Sequence, residues 1–221
     1  MNALRTAWLE FVGEETTPAG TAAILGLAAL GGYLAPRLAE DRLDAAKGTV
    51  LVVAAVDLWG GAWANNTVAC ARWYERPGQT DADHLRFAVA HVHPLVLAAI
   101  DGGGRDRWRW ALANYGYLLA ATWVLRRAPA WRRPLGVALT AAGVVLDVGL
   151  GRSRAAPWFA PVFYAKLLMG HASRRCGRVR RSWDTIRRRL RRSYVPSVAL
   201  AVDLRARHRS STAGISSNRK A

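Results

Sequence analysis

The sequence predicts an all-α polytopic membrane protein, and three observations carry that expectation. Six apolar stretches (20–36, 49–71, 85–100, 108–125, 135–151 and 156–172) approach the length of about 17–25 residues that a helix needs to cross a bilayer. Short arginine-bearing connections separate them. Trp and Tyr gather at the ends of the stretches: Trp73 and Tyr74, Trp108 and Trp110, Trp131, and Trp158. Amphipathic rings concentrate where hydrocarbon meets headgroups. Backbone inside hydrocarbon must satisfy its own hydrogen bonds, so stretches of this kind are read as helices.

Three segments follow, 1–18, 19–172 and 173–221. In the first, Leu4, Ala7, Trp8 and Phe11 keep helical spacing, with Glu10, Glu14 and Glu15 on the polar side. It reads as an interfacial amphipathic helix. Acidic residues ahead of the first apolar stretch do not fit a cleavable signal peptide. The first two spans are dense in small residues, Gly26, Gly31 and Gly32, then Gly60, Gly61 and Ala64, which let helices approach closely. The third span holds His91-Val92-His93-Pro94. Pro94 predicts a kink that frees the carbonyl of Ala90. In the tail, Val179, Trp183, Ile186, Leu190 and Tyr194 form one apolar face of an otherwise arginine-rich helix, which Pro196 ends. From about Ala206 the composition is that of disorder.

The net charge is +17, and residues 173–221 hold 15 Lys/Arg against 2 acidic residues. The mean hydropathy of +0.02 therefore hides the apolar spans behind a basic tail. Nucleic-acid binding is not expected, because no nucleic-acid motif accompanies the charge. Anionic lipid headgroups are the expected partner of the tail. Positive charge marks the cytoplasmic side, so the tail, and with six spans the N-terminus too, is assigned there. Connections 72–84 and 126–133 are then cytoplasmic, and 37–48, 101–107 and 152–154 external. Arginine outnumbers lysine 29 to 3 among abundant Ala, Gly and Val, a composition that fits a bacterial inner membrane. Two cysteines, Cys70 and Cys176, make no disulfide framework or CxxC pair.

Polar and, above all, ionisable groups inside spans are costly unless paired or hydrated, so they point to function. They are Asp57 with Asn65 and Asn66, His91 and His93, Asn114, Asp147, and Lys166, with His171 at the inner end of the last span. Asp57, Gly61 and Asn65, spaced by four, share one helix face. Counted from the cytoplasmic ends at about 1.5 Å per residue, Asn65, His91 and Lys166 fall about 10 Å deep, and Asp57, Asn114 and Asp147 about 20 Å. Residues two apart on a regular helix point about 200° apart, so His91 and His93 reach one site only where the helix is distorted. Lys166 has no acid in its own span. It either snorkels or pairs across helices with Asp57, Asp147 or a substrate anion.

The expected function is membrane-embedded acid–base chemistry on a lipophilic substrate, a lipid or isoprenoid. His91 or His93 would move the proton. Asp57 or Asp147 would orient it, and Asn65, Asn114 and Lys166 would bind substrate. A small proton-coupled carrier or channel, or a scaffold acting through the basic tail, are the alternatives. No cofactor is expected. His91, His93 and His171 could ligate a metal, but no HxxxH, HExxH or paired-cysteine spacing supports it. Asp101-Gly102-Gly103-Gly104 lacks the lysine of a phosphate loop, and neither a DDxxD-type run nor a GxSxG elbow occurs.

Overall fold

The computed structural model describes residues 16–170 and 172, together with Trp8 and Val12. Among these residues the structure is helical, with no strand. Helix α1 (Pro18–Leu38) starts where the Thr17 hydroxyl accepts from Gly20 N–H and Pro18 takes the first helical position. Helix α2 (Ala45–Ala64) is capped by Asp44, which accepts from Lys47 N–H at 2.8 Å. Then come α3 (Val68–Tyr74) and α4 (Asp81–Ala90), the latter opened by a Thr80–Asp83 capping box. Helices α5 (His93–Ile100), α6 (Arg105–Arg127) and α7 (Arg132–Gly149) follow. Last comes α8 (Phe159–Tyr164), which runs into a π-helical turn, Ala165–Met169.

Among the described residues, α1 and α2 are the two helices long and apolar enough to cross a membrane. They pack tightly through small residues: Gly31 lies against Trp59, and Gly60 against Ala28. The core of the rest is aromatic, with Trp110, Phe159, Phe163 and Tyr164 fully enclosed. The outside is unusually apolar, with Val53 64% and Val145 71% exposed, while Asn114, Asp147 and Lys166 are buried.

Three expected spans are interrupted. Stretch 49–71 turns at Asn65–Thr67 between α2 and α3, where the Asn66 amide donates to Ala62 O at 2.8 Å. Stretch 85–100 breaks rather than bends. His91 (φ −86°, ψ 63°) sits at the centre of a three-residue turn closed by Val92 N–H donating to Ala90 O at 3.0 Å. The Ala90 carbonyl expected to be freed by Pro94 is thus taken by Val92. Stretch 156–172 is helical only from Phe159, and its second half is wound as π-helix.

The connections meet in two groups. At one end, Glu40 N–H donates to Arg154 O, Arg107 to Arg152 O, and Arg154 pairs with Asp41 at 2.6 Å. At the opposite end of α6 and α7, Glu75 Oε1 accepts from Arg126 (2.8 Å) and Arg132 (2.9 Å), and Asp81 accepts from Arg126 (2.7 Å). Trp8 packs against a cluster of Val12, Ile24 and Ala64. Leu4, Ala7, Phe11, His171, Cys176 and the tail with its expected amphipathic helix lie outside the described residues.

Candidate functional site

One carboxylate oxygen organises the site. Asp57 Oδ2, on α2, accepts from Lys166 Nζ at 2.5 Å and lies 3.2 Å from His93 Nε2. Lys166 reaches it from the π-helical turn, with its stem laid across Gly61, one turn along α2 from Asp57. A β-carbon on residue 61 would stand 2.5 Å from Lys166 Cε. The lysine side chain is 2% exposed and its partner's is 39% exposed, so the carboxylate closes off the ammonium and itself borders the outside of the bundle. Oδ1 of Asp57 has no partner among the described residues.

The break before α5 supplies the histidines. The turn at His91 brings the two rings to 5.6 Å at 29°, a stacked pair. His91 Nδ1 is 2.7 Å from Phe87 O, and a carbonyl only accepts, so Nδ1 carries the proton. His93 sits at the first position of α5, facing Asp57 with Nε2, while its buried Nδ1 has no hydrogen-bond partner among the described residues. With Asp57 ionised, Nε2 donates to Oδ2.

A π-helical turn leaves carbonyls without their usual i+4 donors, and such turns often mark functional places. Here the end of α2 supplies the donors. Asn65 Nδ2 donates to Lys166 O at 3.2 Å, and Asn66 Nδ2 to Ala165 O at 2.9 Å. Asn65 Oδ1 also takes the Cys70 thiol at 3.7 Å. Asn65 therefore fixes the backbone that carries Lys166 through one of its two amide hydrogens. This turn and the hold of Asn66 on it are the parts of the site that spacing alone did not assign a role.

The expected layering changes accordingly. Asp57, His91, His93, Asn65 and Lys166 form one assembly, because the long lysine stem carries its charge between the two expected depths. Asp147 and Asn114 belong to a second set. Trp110 Nε1 donates to Asp147 at 2.9 Å, Asn114 donates to Trp110 O at 2.9 Å, and Tyr164 donates to Asn114 Oδ1 at 2.7 Å. No hydrogen bond joins the two sets among the described residues. No group of three His, Cys, Asp or Glu able to hold a metal occurs among them either. No protein-family model, curated protein or solved structure matches this chain.

Proposed function

We propose that the chain crosses a bacterial inner membrane six times and carries out acid–base chemistry on a lipophilic substrate at Asp57 and His93. Two features support the crossings. The connections group at two opposite ends in the alternation that six passes require. The exterior is largely apolar, and Asp147 and Lys166 are buried within it. With the basic tail cytoplasmic, the Glu75–Arg126–Arg132 end is the inner one, and both termini face the cytoplasm. Helix α8 with its π-turn is short for a crossing and depends on its enclosure by the other helices.

The observation that carries the chemistry is the divided carboxylate of Asp57. Oδ2 is held by Lys166 and His93, and Oδ1 is free on a side chain that borders the lipid-facing stripe of Val50, Val53 and Val56. Lys166 stands as the countercharge of the carboxylate. Oδ1 then accepts a proton or steadies cationic charge on a substrate arriving from the side, and His93 exchanges the proton with Asp57 through Nε2. Asp57 is the substrate-facing group in this arrangement and His93 stands behind it. Asp147 and Asn114, already engaged with Trp110 and Tyr164, hold the aromatic core.

A second reading, proton-coupled transport, draws on one further observation. A cavity of 10 Å³, about the least that holds one water, lies between Asn65 and Gly170 on one side and Glu75 and His84 on the other. A water there would link the Lys166 backbone to the inner ion cluster. Proteoliposomes of the purified chain distinguish the two. Incubated with a labelled lipid extract, the wild type should convert one lipid class, by mass spectrometry, and Asp57→Asn should not. A proton flux reported by an internal pH dye and lost in Asp57→Asn, without lipid conversion, would replace the enzyme reading with the carrier.

A further inference from the structure

The α1–α2 connection, the first turn of α2, the end of α5 and Ala155 line an open cavity of 260 Å³. Its charged lining is Asp41, Arg42, Asp44, Lys47 and Asp101. All three carboxylates are engaged. Asp41 accepts from Arg154 at 2.6 Å, and Asp44 caps α2 through Lys47 N–H at 2.8 Å. Asp101 accepts from the backbone N–H groups of Arg154 (3.2 Å) and Ala155 (2.9 Å). The Arg42 guanidinium and the Lys47 ammonium, in contrast, have no hydrogen bond or ion pair with any described residue. Arg154 balances Asp41, and Arg107, 3.8 Å away, balances Asp101; Arg42 and Lys47 against the remaining charge of Asp44 leave the cavity with a small positive excess. Leu43 and Ile100 add an apolar wall.

We propose that this cavity binds the phosphate of an anionic phospholipid, gripped by Arg42 and Lys47, with the glycerol against Leu43 and Ile100. The inference rests on α1 and α2 crossing the bilayer, which puts their shared end at headgroup level. Guanidinium matches two phosphate oxygens at once, and ammonium adds a point charge. The volume is below the range of about 300–1,000 Å³ usual for drug-sized ligands, which suits a headgroup rather than a whole lipid. The site lies at the opposite end of α6 from the Glu75 cluster.

The test uses the full chain, delipidated in detergent and given phosphatidylglycerol, with retained lipid read by native mass spectrometry. The double variant Arg42→Gln/Lys47→Gln removes the grip. Arg105→Gln/Arg133→Gln, two exposed arginines elsewhere, is the charge-matched control. The first should bind phosphatidylglycerol at least about a hundredfold more weakly, as expected for loss of two charge-assisted contacts, and the control should match wild type. The tail is present throughout, so its contribution cancels. Because Arg42 and Lys47 hold no partner among the described residues, folding should be intact, which circular dichroism checks. Equal retention in all three proteins overturns the site and leaves the six-crossing reading standing. Thermal stabilisation by inorganic phosphate, lost in the double variant while lipid retention stays unchanged, overturns the lipid and gives the cavity to a soluble anion. Failure of α1 and α2 to cross the membrane would show in topology labelling, independently of either result.

Discussion

Lys166 meets Asp57 only because residue 61 has no side chain: Nζ stands 2.5 Å from Oδ2, and the stem passes where a β-carbon would sit. Gly61→Ala should push the lysine off its partner. Overpacking of this kind costs about 1–3 kcal/mol. Gly26→Ala, with nothing within 4 Å of the added methyl, is the control and should be near neutral. Thermal unfolding in detergent measures both. Equal behaviour of the two variants would mean that the lysine does not follow this route.

The pair should also be asymmetric. Lys166 is enclosed on all sides, whereas Asp57 is at an open flank and has His93 as a second donor. Asp57→Asn leaves a buried ammonium without a countercharge, a change that costs about 3–5 kcal/mol. Lys166→Met leaves a carboxylate that can still accept from His93 or take up a proton. Asp57→Asn should therefore be the more destabilising by about 2 kcal/mol. The reverse order in chemical denaturation would contradict the geometry.

Glu75 should matter more than Glu40 at the other end. It sits between Arg126 and Arg132, whose side chains are 9% and 5% exposed. Glu75→Gln leaves two enclosed guanidinium groups facing each other, and a loss of about 3 kcal/mol is expected. Glu40 pairs with Arg152 and Arg154 in the open, where such pairs are worth about 0–1 kcal/mol. Glu40→Gln should shift the melting temperature little. Comparable shifts would show that the Glu75 cluster is not closed in solution.

How far the sequence could be read depended on the range of the interaction. Apolar length located the helices, and the i, i+4 relation of Asp57, Gly61 and Asn65 placed them on one face. The Pro94 signal marked the right place in the third stretch. A proline fixes where a helix fails but not how the chain turns, so the three-residue turn at His91 was not legible. The π-turn at Ala165–Met169 has no signature of its own. It is held by Asn65 and Asn66, roughly a hundred residues earlier in the chain. Equal-depth counting failed for Lys166 because it tracks backbone, whereas the charge rides on a long side chain. Pairing of Trp110 with Asp147 was likewise invisible, since the tryptophan looked like an interface anchor.

Stability should fall at mildly acid pH through His84. Burial first, and the neighbouring Arg126 second, hold its imidazole below the ordinary value of 6.5; Glu75 and a backbone bond to Tyr74 oppose them, and Arg132 adds to them. The folded protein then binds fewer protons than the unfolded chain below pH 6.5, so stability is full above that value. It is lost as pH drops from 6.5 through the lowered folded pKa. Asp81, held below 3.8 by its bond from Arg126, adds its own loss only as pH falls through and below that value. Thermal scans between about pH 7 and 5 should show a shallower slope for His84→Gln than for wild type. An unchanged slope would remove His84 as the titrating group.

The two groups of connections should lie on opposite sides of the membrane, and α6 sets the distance. Its 23 residues span about 34 Å, slightly more than the ~30 Å of hydrocarbon. Asp106 is in its first turn with a side chain 85% exposed. Gln79 sits between Glu75 and Asp81, the two residues that hold Arg126 at the far end of the same helix. Single cysteines at the two positions, in a chain with Cys70 and Cys176 replaced by alanine, report their sides. A membrane-impermeant maleimide applied to intact spheroplasts should label Asp106→Cys and spare Gln79→Cys until the membrane is opened. Labelling of both before permeabilisation would mean that α6 does not cross. The ion centre at Asp57 would then be exposed to water rather than lipid, and the lipophilic substrate would lose its support.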